Sequence, residues 1–154
     1  MAQKSRKTIH KLISNRRARF DYELFDTITA GIVLTGQEVR AVRDGRVSLR
    51  GAYATIKDGE LWLTNASFSL PSTTGDHATI VDTSNRKLLV KKGELLRMIA
   101  AKDQGLTIVP LSMTTDTRFI KVAIATARGK KLYDKRETIK RRDIDREHRR
   151  MVLG

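Results

Sequence analysis

The strongest structural signal in this chain is the stretch "AYATIKDGELWLTNASF", residues 52–68. Two runs rich in β-branched, aromatic and aliphatic residues flank Asp58 and Gly59, a dipeptide that is typical of a type I′ hairpin turn. Side chains alternate between the two faces of a strand, so Leu61 and Leu63 should share one face. The opposite face should carry the other large or β-branched side chains: Trp62, Thr64 and Phe68.

Further strands are predicted on both sides of this hairpin from runs of β-branched and apolar residues. These runs are "YELFDTITAGIVL" (22–34), "RKLLVK" (86–91), "LTIVPLSM" (106–113) and "RFIKVAIATA" (118–127). Gly31 is a candidate bulge, and Pro110 indicates an edge position or a bulge. The last run has a branched face and an alanine face: Ile120, Val122 and Ile124 against Ala123, Ala125 and Ala127.

Two helices are predicted from local signals. In "LTGQEVRAVRDGR" (34–46), Thr35 and Glu38 have the spacing of a capping box, and Gly45 fits the C-terminal cap. The run "GELLRMIAAKDQG" (93–105) is amphipathic and ends at a glycine.

About six short strands joined by hairpins, with two helices and no βαβ rhythm, favour a mainly β fold with some α. We predict a small antiparallel OB-like barrel over residues 15–131, with the two helices packed outside it. Residues 70–85 are expected to form a loop by composition. No apolar run approaches the roughly 20 residues of a membrane span, and no signal-peptide pattern is present.

Charge is concentrated at the two ends of the 154-residue chain. Of the net charge of +14, residues 1–19 carry seven basic side chains and no acid. Residues 129–154 carry ten basic and five acidic side chains, and the middle is nearly balanced. A balanced globular part with basic ends is typical of nucleic-acid binding. We therefore predict a flexible basic arm over residues 1–14 and a basic tail over 132–154.

The tail contains strong helix formers but no apolar stripe that could dock on the barrel. Asp134 and Glu137 have the spacing of a second capping box. Because isolated helices of this length are marginal in water, we expect a tail that is disordered alone and helical on an anionic partner.

Catalytic signals are weak. The three histidines, His10, His77 and His148, lie in the arm, the loop and the tail, and the chain contains no cysteine, phosphate loop or metal-binding cluster. The sequence predicts no enzyme, no cofactor and no metal. Tyr22 and Tyr133 lie near basic runs, where aromatic rings can stack on unpaired bases, or they can pack in the core and at a hinge. Two alternatives stay open: a general OB-type translation factor that binds tRNA or rRNA, and an RNA-processing enzyme.

Three segments resemble the SsrA-binding protein family, also called small protein B. They are "NRRARFDYELFDTITAGIVLTGQEVRAVRDGRVSLRGAYATIKDGELWL", "RKLLVKKGELLRMI" and "GKKLYDKRETIKRRD", in the family's order and spacing. The resemblance implies an adaptor without catalytic activity that binds transfer-messenger RNA (tmRNA, or SsrA) and brings it to stalled ribosomes. It implies a cytoplasmic bacterial protein that acts in trans-translation, and we expect a monomer on the RNA.

The resemblance also implies two sets of contact residues. The RNA-binding set is Asn15, Arg16, Arg17, Tyr22, Glu38, Arg43, Tyr53, Lys87, Leu89, Gly129, Lys130 and Lys131. For Glu38 and Arg43, helix capping and surface ion pairing are the alternative to RNA contact. The set for the decoding centre and the mRNA channel is Tyr133, Asp134, Lys135, Arg136, Lys140, Arg141 and Arg142. Two departures from the family stand out, since Thr29 replaces a common glutamate and the tail ends without a long basic extension.

Overall fold

A computed structural model of the chain describes residues 12–72, 74–75, 77–115, 118–130 and 132–153. These residues form ten strands and four helices. In chain order they are β1 (Leu12–Ser14), α1 (Arg16–Asp21), β2 (Tyr22–Ile32), α2 (Gly36–Arg43), β3 (Val47–Ser48), β4 (Tyr53–Lys57), β5 (Glu60–Thr64), β6 (Ser67–Pro71), β7 (Thr79–Asp82), β8 (Arg86–Leu89), α3 (Lys92–Asp103), β9 (Thr107–Thr114), β10 (Lys121–Gly129) and α4 (Leu132–Leu153).

Six antiparallel strands close into a ring in the order β4, β9, β10, β2, β8 and β5. The ring closes where Ala54 of β4 pairs with Ile108 of β9. This ring confirms the predicted OB-like barrel of about six strands. Strand β1 extends it by pairing with β9, while β3, β6 and β7 form a separate three-stranded sheet. None of the helices in the described part of the chain is long and apolar enough to span a membrane.

The hairpin of β4 and β5 has the predicted turn. Asp58 and Gly59 both have positive φ angles, 53° and 71°, as a type I′ turn requires. Leu61 and Leu63 are buried in the core, as the alternation predicted. The prediction that Phe68 lies on the face opposite Leu61 and Leu63 is wrong. Strand β5 ends at Thr64, Asn65 has a positive φ of 64°, and Phe68 belongs to β6, where it is fully buried in the same core.

The two faces of β10 are confirmed. Val122 and Ile124 lie in the main core inside the barrel. Ala125 and Ala127 point outward and form a second cluster with Ala18 of α1. Small side chains on the outer face of β10 let α1 lie close against the sheet.

Two bulges shape the long strands. The prediction of a bulge at Gly31 is wrong, because Gly31 pairs in register with both neighbouring strands. The β2 bulge lies instead at Phe25 and Asp26, where the Asp26 amide donates to Thr126 Oγ1 at 3.1 Å. The prediction at Pro110 is confirmed, since the β9 register shifts by one residue there. Proline has no amide hydrogen to donate to the neighbouring strand, and the loss of that hydrogen bond costs least where the register shifts.

Helix α2 begins and ends as predicted. The Glu38 amide donates to Thr35 Oγ1 at 3.3 Å, and the Thr35 amide donates to Glu38 Oε2 at 3.1 Å. At the other end, Gly45 has φ 76° and its amide donates to the Val42 carbonyl, while the next amide donates to the Ala41 carbonyl. These two bonds form a Schellman motif.

Four segments differ from expectation. Residues 12–14, assigned to the arm, form β1, and the rest of the arm lies outside the described residues. Residues 79–82, assigned to a loop, form β7. Residues 16–21, assigned to the barrel without a helix, form α1. The tail forms a helix over Leu132–Leu153 that begins before the predicted capping residue Asp134, while its disorder in the absence of a partner stays a prediction.

Candidate nucleic-acid interface

Asn15 fixes α1 against the barrel. Its side chain is buried, with Nδ2 donating to the Pro110 carbonyl at 2.9 Å and Oδ1 accepting from the Ala18 amide at 3.3 Å. Its own amide donates to the Leu111 carbonyl at 2.8 Å. The bulge in β9 thus supplies two carbonyl groups that hold the start of α1. Both polar atoms of the Asn15 side chain, a predicted RNA contact, therefore form hydrogen bonds within the protein.

Asn15→Ala should lower the free energy of unfolding by about 1–3 kcal/mol, because it removes a helix cap and leaves the Pro110 carbonyl without its donor. Urea unfolding of the purified chain measures this change. If RNA affinity fell while stability stayed at the wild-type value, Asn15 would instead act as a direct RNA contact.

Four other predicted residues line two adjoining surface pockets that share Asn15 and Arg17, and we call the two pockets together the α1 groove. Arg17, Tyr22 and Tyr53 line one pocket. Arg16 and Arg17 line the other, together with Arg50, which was not singled out from the sequence. The three arginines are exposed, Tyr53 is exposed to 40% and Tyr22 is half-buried. Guanidinium groups suit phosphate, and phenol rings suit stacking on unpaired bases.

Asp21, the last residue of α1, is the acid of the α1 groove. Its carboxylate pairs with Arg17 Nε at 3.2 Å and with Lys135 Nζ of α4 at 3.2 Å. Partial burial by itself raises the pKa of Asp21, but the hydrogen bonds and charges of Lys135 and Arg17 outweigh it. The pKa therefore lies below its ordinary value, and the carboxylate is ionised at neutral pH.

A second groove, which we call the β2–α3 groove, lies between the end of β2, the chain around residues 89–91, α3 and residues 119–121. Predicted residue Leu89 lines it and is half exposed. Thr29, the position of the first departure named in the sequence analysis, lines it too. Predicted residue Arg43 lies beside the chain entering the groove, since its Nη2 donates to the Arg118 carbonyl at 3.5 Å.

The β2–α3 groove also contains basic and aromatic side chains that were not predicted from the sequence. Three basic residues line it: Lys91, Arg97 and Lys121. Phe119 also lines it and is 72% exposed. These residues belong to segments that are separate in the sequence, so no local pattern marks them as one surface.

Glu38 is nearly buried, although it was predicted to bind RNA. Besides capping α2, its Oε1 pairs with Arg86 Nη2 at 3.3 Å. Arg86 is itself buried, and its guanidinium lies 3.7 Å from the centroid of the Phe68 ring. Both carboxylate oxygens of Glu38 are therefore engaged within the protein, in the cap of α2 and with Arg86, and its contact with RNA stays a prediction.

Asp82 is a second carboxylate partner of Arg86. Its Oδ2 lies 3.5 Å from Arg86 Nη2, and Arg86 Nη1 donates to the Ser84 carbonyl at 2.6 Å. Hydrogen bonds from Ser84 hold the pKa of Asp82 below its usual range, so this carboxylate stays charged at neutral pH. Arg86 thus joins α2, β6 and the end of β7, yet nothing in the sequence singled it out.

The remaining predicted residues of the barrel lie elsewhere. Lys87 is half-buried and pairs with Glu60 at 2.8 Å. Gly129 is exposed at the end of β10. Lys130 donates hydrogen bonds to both α1 and α4 through its side chain. Lys131 lies outside the described residues.

The tail residues lie on α4. Lys135 is half-buried against α1, whereas the other basic side chains of the predicted decoding-centre set are exposed: Arg136, Lys140, Arg141 and Arg142. Tyr133 and Asp134 are in the first turn, and their side chains lie outside the described part of the structure. The aliphatic side chains of α4 remain largely open to solvent, with Ile139 and Ile144 each 47% exposed.

A family model described as SmpB protein matches residues 12–153 of the chain. The chain belongs to the SmpB family. Curated relatives in this SmpB family are named SsrA-binding protein. The relative from Trichodesmium erythraeum is 44% identical, and the match covers 99% of this chain and 98% of the relative. The relative from Coprothermobacter proteolyticus is 47% identical, with 90% and 94% covered.

A solved structure gives the same assignment at the level of the fold. It is described as "tmRNA-SmpB: a journey to the center of the bacterial ribosome" and is 41% identical to this chain. The superposition has a TM-score of 0.61 and covers 79% of this chain and 85% of the other. Residues 12–153, which match the family model, include the barrel strands and both grooves.

Proposed function

We propose that this chain is an RNA-binding adaptor that binds tmRNA and delivers it to stalled ribosomes in trans-translation. The observation that carries the proposal is the match to the SmpB family over residues 12–153, together with relatives that are named for SsrA binding. The solved relative is described as a tmRNA complex at the ribosome. The proposal places the protein in the bacterial cytoplasm, where ribosomes work.

The geometry supports a division of labour between barrel and tail. Both grooves combine exposed basic side chains with an exposed aromatic ring, Tyr53 in one and Phe119 in the other. Phosphate contacts give affinity and stacking holds unpaired bases, which suits a folded RNA with exposed loops. We assign the barrel grooves to tmRNA and the exposed basic face of α4 to the ribosomal decoding centre and mRNA channel.

Adaptor function is favoured over RNA processing. The two histidines in the described part, His77 and His148, are exposed, and they belong to the β6–β7 hairpin and to α4 respectively. A general acid and a general base acting on one phosphodiester would have to meet at it. We therefore propose no catalytic residue in this chain.

The test is sequencing of the RNA that copurifies with the full chain from its own cell type. One dominant tmRNA species is the expected result. Bulk tRNA or rRNA in proportion to its abundance would support the alternative of a general translation factor. A competition assay provides the matched control, because unlabelled tRNA should displace labelled tmRNA poorly from a dedicated binder and equally well from a general one.

A further inference from the structure

Two positively charged helices touch each other in this fold. Helix α1 carries three arginines and one acid, Asp21, and α4 carries eight basic and five acidic residues. Like charges repel at short range, so contact between the helices requires a compensating group. Asp21 is the one acid that α1 can offer.

Asp21 and Lys130 connect α1 to α4. The Asp21 carboxylate pairs with Lys135 of α4, and the Asp21 carbonyl accepts from the Lys130 amide at 2.9 Å. Lys130 Nζ donates to Thr138 Oγ1 of α4 at 3.2 Å and to the Arg19 carbonyl of α1 at 3.4 Å. A cation at the last carbonyl groups of a helix also matches the helix dipole.

The contact is polar throughout the residues that can be described. The Phe20 ring of α1 receives Lys135 Nζ and Arg142 Cζ, each 6.0 Å from its centroid, at the far limit of a cation–π contact. The aliphatic residues further along α4, such as Met151 and Val152, are about 80% exposed. Among the described side chains, the contact between α1 and α4 is thus made by charged groups and the Phe20 ring, and the aliphatic side chains further along α4 are exposed.

We propose that Asp21 is the positioning residue that sets the direction of α4 relative to the barrel. Asp21 also lines the α1 groove through its pair with Arg17, so the group that orients the tail sits at the edge of a surface assigned to RNA. The functional meaning rests on the proposed function, in which the tail must enter the ribosome while the barrel holds tmRNA. The positioning itself depends only on the free protein.

Distance measurement between two spin labels tests the positioning without RNA or ribosomes. The chain has no cysteine, so single cysteines introduced at the exposed positions Lys57 of β4 and Glu147 of α4 label the barrel and the tail selectively. The wild-type background should give one narrow distance peak. Asp21→Asn should reduce the ratio of docked to released tail about fivefold, the effect of losing one exposed ion pair, and broaden the distribution.

Two matched variants make the result specific. Glu23→Gln removes the same charge from an exposed position two residues further along, and it should leave the peak unchanged. Asp21→Glu keeps the charge and should restore most of the narrow peak, which a purely steric role of Asp21 would not predict. Equally narrow peaks for Asp21→Asn and the wild type, or a broad wild-type distribution, would overturn the proposal.

Tagging of stalled chains separates this inference from the proposed function. Asp21→Asn should slow tagging even at tmRNA concentrations that saturate the variant; saturation is needed because Asp21 also lines the α1 groove and its own tmRNA affinity must be measured. If tmRNA does not bind the wild-type chain at all, the proposed function fails, whereas the spin-label result stands or falls independently. If the labels show a released tail and tagging is unaffected, Asp21 does not position the tail for its task.

Discussion

Loss of tagging with intact RNA binding is the expected result of replacing Asp134, Lys135 and Arg136 together by alanine. All three lie in the first two turns of α4; Lys135 and Arg136 line neither barrel groove, although Lys135 pairs with Asp21 at the edge of the α1 groove. The substitution lowers the net charge by one, so tmRNA affinity should change by no more than about fivefold at moderate salt. The tail would lose polar groups that we propose contact the decoding centre.

The measurement pairs a tagging assay on ribosomes stalled on truncated mRNA with a gel-shift titration of tmRNA. A matched control is the triple alanine replacement of Arg146, Glu147 and Arg149, which makes the same change in net charge further along the same helix. We expect this control to retain substantial tagging. Normal tagging by the first variant would show that the start of α4 is not the ribosome-contacting part.

Because Lys135 also pairs with Asp21, the triple variant changes both the contacts and the direction of the tail. The spin-label distance separates the two effects. A tagging defect much larger in the triple variant than in Asp21→Asn, at a similar distance distribution, would assign the additional loss to the ribosomal contacts.

A large loss of stability is expected for Glu38→Ala. The substitution removes the carboxylate that accepts from the Thr35 amide in the α2 capping box, and it leaves the buried Arg86 with Asp82 as its one remaining carboxylate partner among the described residues. Breaking a buried pair by removing one partner costs about 3–5 kcal/mol, since the other charge stays in a poorly solvated place. Urea unfolding followed by circular dichroism measures the change, and tmRNA affinity of the folded fraction should persist.

Glu60→Ala is the matched control for this prediction. Glu60 pairs with Lys87 at 2.8 Å, but both side chains are about 40% exposed, so its loss should cost about 0–1 kcal/mol. Should Glu38→Ala weaken tmRNA binding at unchanged stability, the RNA contact inferred from the resemblance would be right and the structural role wrong.

Elements with local signals were predicted from the sequence. The type I′ turn depends on two adjacent residues, Asp58 and Gly59, and the cap of α2 depends on Thr35 and Glu38, three positions apart. The alternation along β10 separates its two faces for the same reason. Each of these features is determined by the conformation of a few consecutive residues, so the fold class followed from them.

Helix α1 shows why other features were missed. It has six residues, too few for a periodic pattern, and its cap Asn15 is bonded to Pro110, 95 positions away. The β2 bulge lies at Phe25 and Asp26, where a hydroxyl from β10 receives the free amide, and no glycine marks the place. Both depend on which strands become neighbours.

The amino-acid sequence alone determined the hairpins, the caps and the concentration of positive charge at the two ends, because these depend on near neighbours or on composition. Tertiary structure alone decided which polar residues are accessible. It buried Asn15 and Glu38, left Arg16 and Tyr53 on a groove, and joined Lys135 to Asp21. The physical reason is that the surroundings of a side chain come from partners far apart in the sequence, which only chain folding brings within contact distance.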